Sequence, residues 1–141
     1  FVTLHVNLGT FAPLTKDQLE RGTLHHEFFE ITKKCAAALN FAKRDGRPII
    51  AVGTTVARTL ESASDARGRL KKLSGTTDLF IRPGYHFKFV DGLVTNFHVP
   101  RSSLLMLVSA LTGRAALFNL YQRAIQKRFR FFSFGDGMLI L

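Results

Sequence analysis

Pro48-Ile49-Ile50-Ala51-Val52-Gly53-Thr54-Thr55-Val56 is the stretch whose reading decides the fold. Residues 48–52 form a continuous apolar run just behind Asp45-Gly46. Such a run belongs in a parallel sheet, where helices cover both faces. Gly53 breaks it, and from Thr54 onward Val56, Leu60 and Ala63 recur at helical spacing. Strand, tight turn and helix in that order begin a βαβ unit. Further out, residues 2–8 alternate as a strand that ends at Gly9-Thr10, and residues 28–31 suggest a second. Thr32 is placed to cap a helix carrying Cys35, Ala36, Leu39 and Ala42. Residues 64–77, rich in Arg, Lys, Gly and Ser, read as a long loop. Strands are expected at 79–81 and 87–90, and a helix from Ser103 to near Gly113. A second helix follows with Leu117, Leu120, Tyr121, Ala124 and Ile125 in phase, and a last strand at 138–141. The expected class is α/β, a largely parallel sheet flanked by helices, with barrel-like closure as a variant.

The chain has 141 residues, 46% of them hydrophobic, which suits one globular domain with a real core. Phe1 stands at the edge of a strand pattern, so the chain is expected to be a fragment of a larger two-domain protein. No signal-peptide pattern is legible. No apolar run approaches the roughly 20 residues that a membrane helix needs. The single cysteine, Cys35, excludes an internal disulfide, fits a cytoplasmic location and reads as packing. Twenty Lys and Arg against ten Asp and Glu give a formal charge of +10. That excess attracts nucleic acid or an anionic membrane. A membrane-binding helix would concentrate its cations opposite an apolar face, whereas here they are spread over several elements.

Four clusters carry chemistry. Gly53-Thr54-Thr55 opens a helix, where free amides and threonine hydroxyls can hold a carboxylate, ribose or phosphate; a plain helix start has the same letters. Arg58 and Glu61, one turn apart on that helix, either orient a substrate or pair with each other. His25-His26-Glu27 sets imidazole beside carboxylate, a pattern suited to acid–base work. It lacks the further ligands of a metal site. His5 reads as a core histidine. Thr95-Asn96-Phe97-His98 precedes Pro100, and Ser102 or Ser103 caps the following helix, leaving Asn96 and His98 beside a helix N-terminus. Finally, Arg128-Phe129-Arg130-Phe131-Phe132-Ser133-Phe134-Gly135-Asp136 interleaves cations with aromatics, which suits either base stacking or core packing.

In this order the clusters resemble the S-adenosylmethionine:tRNA ribosyltransferase-isomerase family of queuosine biosynthesis, over essentially the whole chain. The resemblance rests on Val2-Thr3-Leu4-His5-Val6 with Gly9-Thr10-Phe11, Leu24-His25-His26-Glu27, and Ala51-Val52-Gly53-Thr54-Thr55 with Arg58 and Glu61. Thr77-Asp78-Leu79-Phe80-Ile81 with Pro83-Gly84-Tyr85, Phe87-Lys88 and Val90-Asp91 continue it. Thr95-Asn96-Phe97-His98 and the Arg130 to Asp136 segment complete it.

The resemblance implies a cytoplasmic, metal-free enzyme that needs no cofactor beyond S-adenosylmethionine as ribosyl donor. Its acceptor is 7-aminomethyl-7-deazaguanine at the wobble position of tRNA; adenine and methionine leave, and the product is epoxyqueuosine. It also implies that residues 1–141 are part of a large α/β catalytic domain whose N-terminal portion and small β-barrel domain lie outside this chain. The residues expected in catalysis are His25 or His98 for proton transfer, with Glu27 or Asp91 as carboxylate partner. Substrate contacts are expected from Gly9, Thr10, Gly53, Thr54, Thr55, Arg58, Tyr85, Asn96 and Asp136, and tRNA contacts from Arg128, Arg130 and Phe132. Gly22 departs from the family pattern by standing where a further histidine is usual. A non-catalytic basic RNA-binding module and an S-adenosylmethionine-dependent methyltransferase are the two rival readings; a methyltransferase would carry an early glycine-rich loop that is not evident here.

Overall fold

Local signals fix most of the helices in the computed structural model, which describes residues 1–6 and 14–141. Thr15 and Gln18 form a reciprocal capping box at the start of α1 (Lys16–Arg21). The Thr32 hydroxyl accepts from the Cys35 amide and starts α2 (Lys33–Arg44). α2 ends in a Schellman motif, with Gly46 left-handed (φ 72°) and Arg47 N–H donating to Ala42 O at 3.0 Å. Ser102 caps α4 (Ser103–Thr112), accepting from Leu105 N–H. Gly113 separates α4 from α5 (Arg114–Gln126), and the two meet at 111°. α5 closes with a second Schellman motif in which Arg128, not glycine, takes the left-handed position (φ 58°). Among the described residues no single helix is long and apolar enough to cross a membrane.

The strands form two three-stranded sheets. In the first, β1 (Thr3–His5), β2 (Thr23–Glu30) and β4 (Ser74–Leu79) lie in the order β1-β2-β4, all antiparallel. In the second, β3 (Ile50–Val52) pairs in parallel with β5 (Gly92–Asn96), and β5 pairs antiparallel with β6 (Gly137–Ile140). The expectation of a largely parallel sheet is therefore corrected: among the described strands one pairing of four is parallel, and no closed barrel forms. The apolar run at 48–52 was a sound guide only to its own crossover, because α3 (Thr54–Ala63) supplies the long connection a parallel neighbour requires.

Three strand expectations also change. The second strand is longer than 28–31: it begins at Thr23, with a bulge between Thr23 and Glu27 that ends by burying Glu27 and Phe29 together. Residues 74–79, read as loop and strand start, are β4. Residues 87–90 form no strand, because a side chain replaces the strand partner. Glu61 is fully buried on α3; its Oε1 accepts from the amides of Phe89 and Val90 and its Oε2 from that of Lys88, each at 2.9 Å. Tyr85 donates its hydroxyl to the same carboxylate.

The core lies between the sheets and helices. Phe29, Ala57, Leu60, Phe89, Leu93, Leu107 and Val108 are all at most 2% exposed. Cys35 packs against this cluster at its edge, as its sequence context suggested. His5 does not: it is exposed on β1 and lies against the Phe28 ring, centroids 5.7 Å apart. A three-residue edge strand buries little on either face, so the alternating pattern misplaces it.

Candidate functional site

β3 and β5 run in parallel and deliver their C-terminal ends to one rim. There Gly53-Thr54-Thr55, Thr95, Asn96, His98, Val99, Leu104, Phe132 and Ser133 enclose a pocket of about 450 Å³. Ligands favour this edge of an open α/β sheet, outside the carboxyl ends of parallel strands. Gly53 is required by its backbone (φ 98°), since open space surrounds the position of a Cβ. It enters α3 without any side-chain cap. The first amides of α3 are thus left for a ligand, with the helix dipole behind them. α4 is capped by Ser102, one of the two serines expected there, so its first turn is satisfied from within the chain and Leu104 lines the pocket.

His98 is held from three directions. Its main-chain N–H donates to the Tyr121 hydroxyl at 2.7 Å, and that hydroxyl donates back to the His98 carbonyl at 3.2 Å. Its Nε2 lies 2.8 Å from Thr95 Oγ1. Burial pushes the imidazole down to a pKa of about 4, so His98 is neutral at physiological pH. Burial likewise raises the Tyr121 phenol, which keeps it protonated as the clamp requires. The His98 shift has a measurable consequence. Between about 6.5 and about 4 the unfolded chain takes up a proton at this residue that the folded chain does not, so stability falls as pH drops through that window. Urea midpoints measured across it should fall less steeply in His98→Gln than in the parent chain; equal slopes would show that His98 titrates normally.

The opposite rim of the pocket is the segment after α5. The Arg130 amide and guanidinium donate to the two oxygens of Asp136, at 2.5 and 3.2 Å. These bonds hold the Asp136 carboxyl below its usual range. Asn96 Nδ2 donates to the Asp136 carbonyl and Phe132 N–H to the Phe97 carbonyl. The loop is thereby fastened to β5, with Phe132 in the left-handed region (φ 64°) and among the residues lining the pocket. The packing reading of the aromatic run holds for Phe129 and Phe131, which lie on buried Phe97 with centroids 5.8 and 4.9 Å away. Phe129 is still partly exposed, as are Phe132 and Phe134.

The structure thus brings together Gly53, Thr54, Thr55, Asn96, His98, Phe132 and, as fasteners, Arg130 and Asp136. Others it places apart. Glu27 and Arg58 form a buried ion pair, 1% and 4% exposed, between β2 and α3; Arg58 Nε also donates to the Leu79 carbonyl. Arg58 and Glu61 therefore do not pair with each other. His25 lies exposed on β2 in the other sheet and does not line the pocket. Asp91 sits at the opposite end of β5, where it accepts from Lys43 Nζ at 2.6 Å and from Ile49 N–H at 2.8 Å. Tyr85 is engaged with Glu61; burial, then the Glu61 charge and hydrogen bond, raise its phenol. Arg128 terminates α5. Gly9 and Thr10 lie outside the described residues. Tyr121 is the participant that sequence reasoning missed, and Thr95, though part of the polar cluster, was given no role of its own. Thr95 is three residues from His98 and was open to inspection, but Tyr121 is 23 residues away and carried no local signal.

Residues 1–140 match the family model described as queuosine biosynthesis protein. The chain belongs to that family. Among curated members, it is 56% identical over 140 residues to S-adenosylmethionine:tRNA ribosyltransferase-isomerase of Syntrophotalea carbinolica. It is 50% identical over 141 residues to the protein of that name in a Thermoanaerobacter species. A crystal structure of S-adenosylmethionine tRNA ribosyltransferase from Thermotoga maritima aligns with a TM-score of 0.75 and 49% identity, covering 82% of this chain and 40% of that one. The chain spans 41% of the length of these two curated family members. Among the described residues no group of three or more His, Cys, Asp or Glu is placed to hold a metal.

Proposed function

We propose that this chain is part of the α/β catalytic unit of a tRNA ribosyltransferase-isomerase. That unit transfers the ribosyl moiety of S-adenosylmethionine to 7-aminomethyl-7-deazaguanine at the tRNA wobble position and releases adenine and methionine. The observation that carries the reading is the pocket at the ends of β3 and β5, seen in a chain whose relatives bear that enzyme's name. Its three surfaces suit the reactants. The uncapped α3 amides with Thr54 and Thr55 suit a carboxylate or ribose hydroxyls. Phe132 suits a planar base, and Val99 and Leu104 add apolar lining.

The reaction needs a base for the proton on the 5′ carbon, which the neighbouring sulfonium acidifies. Of the two histidines expected in that role, His98 lines the pocket and His25 does not, so His98 is assigned the proton transfer. Thr95 orients its ring and Tyr121 its main chain. Glu27 with Arg58 acts from behind, tying β2 to α3. The remaining portion of the catalytic domain, the small β-barrel and a cytoplasmic setting belong to the same proposal.

The test is adenine release from S-adenosylmethionine on tRNA carrying the deazaguanine base, made on this sequence within a polypeptide of the relatives' full length. Release stoichiometric with loss of the unmodified base is the expected result. Binding of that tRNA without adenine release would leave a non-catalytic RNA-binding module. Transfer of the methyl group in place of the ribosyl would make the protein a methyltransferase.

A further inference from the structure

A second concave surface lies at the other end of the β3–β5 pair. α2 and the 65–70 loop enclose a groove of about 610 Å³, lined by Lys43, Arg44, Arg67 and Arg69 around the exposed ring of Phe41. Both walls are built. The Asn40 side chain donates to the Leu70 carbonyl at 3.0 Å and accepts from the Leu70 amide at 2.8 Å, pinning helix to loop. The Asp65 carboxylate accepts from the amides of Arg67 and Arg69, at 2.9 and 3.0 Å. Gly68 allows the turn (φ 66°), and a Cβ there would stand 2.7 Å from the Lys88 carbonyl. The loop therefore has one shape, and it presents Arg67 and Arg69 to the groove.

The charges are unevenly balanced. Lys43 is committed to Asp91 and the Phe89 carbonyl, and Arg69 to Asp65. Arg44 and Arg67 have no carboxylate partner among the described residues. The Arg44 and Arg47 guanidiniums each lie over the Phe41 ring, 5.4 and 5.5 Å from its centroid. This stacking, with an Arg47–Asp45 ion pair at 3.1 Å, holds two side chains over an exposed aromatic. Cations spread along an open groove match a polyanionic strand better than a single small anion, which would need convergent donors.

We propose that this groove is a docking surface for the sugar-phosphate backbone of the RNA substrate, separate from the pocket that holds the reacting base. The inference rests on the RNA-substrate reading above. β5 separates the two surfaces by about five residue steps, roughly 16 Å at about 3.3 Å per residue. One RNA element can thus span both, with the backbone at the α2 end and the reacting base at the His98 end. Lys43 is a positioning residue in this arrangement, because its bonds to Asp91 and Phe89 fix the C-terminal turn of α2.

The test compares Arg44→Ala/Arg67→Ala with the parent sequence, in a polypeptide of the relatives' full length, by fluorescence anisotropy with anticodon stem-loop RNA over a salt series. Loss of two phosphate contacts should weaken binding about tenfold and reduce the slope of log affinity against log salt by about 1.5. Arg44→Lys/Arg67→Lys should keep most of the slope, and thermal midpoints should not move. Unchanged affinity and slope in the alanine variant, with adenine release intact, would overturn the groove proposal while leaving the enzymatic reading in place. A lowered thermal midpoint with an unchanged slope would also overturn it, by showing that the groove is covered by protein. Absence of RNA binding by the parent polypeptide would instead sink the enzymatic reading.

Discussion

Glu61→Ala is expected to destabilise the fold by about 3–5 kcal/mol, or to prevent folding. The estimate comes from what the carboxylate leaves behind. Removing one partner of a buried polar contact strands the others, at about 1–3 kcal/mol for each unsatisfied group. Glu61 satisfies the amides of Lys88, Phe89 and Val90 together with the Tyr85 hydroxyl. The Lys88 and Tyr85 bonds are only partly buried, which keeps the total below the simple sum. Domains of this size have net stabilities of about 5–15 kcal/mol, so the loss is a large share of the whole. Glu61→Gln serves as the second variant: one amide oxygen still accepts, but the NH₂ opposes an amide donor, and an intermediate loss is expected. Urea equilibrium unfolding reads both. A change below about 1 kcal/mol in Glu61→Ala would show that residues 88–90 are held by other means.

His98→Ala carries the second large effect, on turnover and not on stability. An acid–base group contributes about 10²–10⁴-fold, so adenine release should drop by at least about a hundredfold. The fold should tolerate the change. Among the described residues the His98 ring hydrogen-bonds to Thr95 Oγ1 alone, and the loop itself is held through main-chain bonds to Tyr121. Thr95→Val separates orientation from chemistry, because it removes the ring's partner and keeps the imidazole; a smaller loss is expected. If kcat is unchanged in His98→Ala, the proton passes to another group and His98 only shapes the pocket.

Several sequence readings survive because their causes are local. α2, α3, α4 and α5 stand where periodicity and the residues Thr32, Gly53, Ser102 and Gly113 place them. β6 was likewise legible as the last apolar run. The pocket was half legible. Gly53-Thr54-Thr55 and Asn96 to His98 stand out as polar residues at the ends of apolar runs, and both prove to be on one rim. Nothing local distinguished them from His25 with Glu27, which the fold places in the other sheet, or from Asp91, which it places at the far end of β5. Arg130 was expected as a tRNA contact from the family resemblance; its bonds to Asp136, which fasten its own loop, were not legible in the sequence.

α1 with its capping box went unread; the sequence by itself determined α2 to α5, the family resemblance and the polar segments from which a site can be built. Each depends on residues within a turn or two of one another, where caps, glycines and periodicity act directly. Only the tertiary structure decided strand pairing and the partners of buried charges. A strand's letters say which faces are apolar, not which neighbour or direction satisfies its amides. Glu61 replacing a strand partner for residues 88–90, and Tyr121 holding His98 across 23 positions, are choices made where distant segments meet.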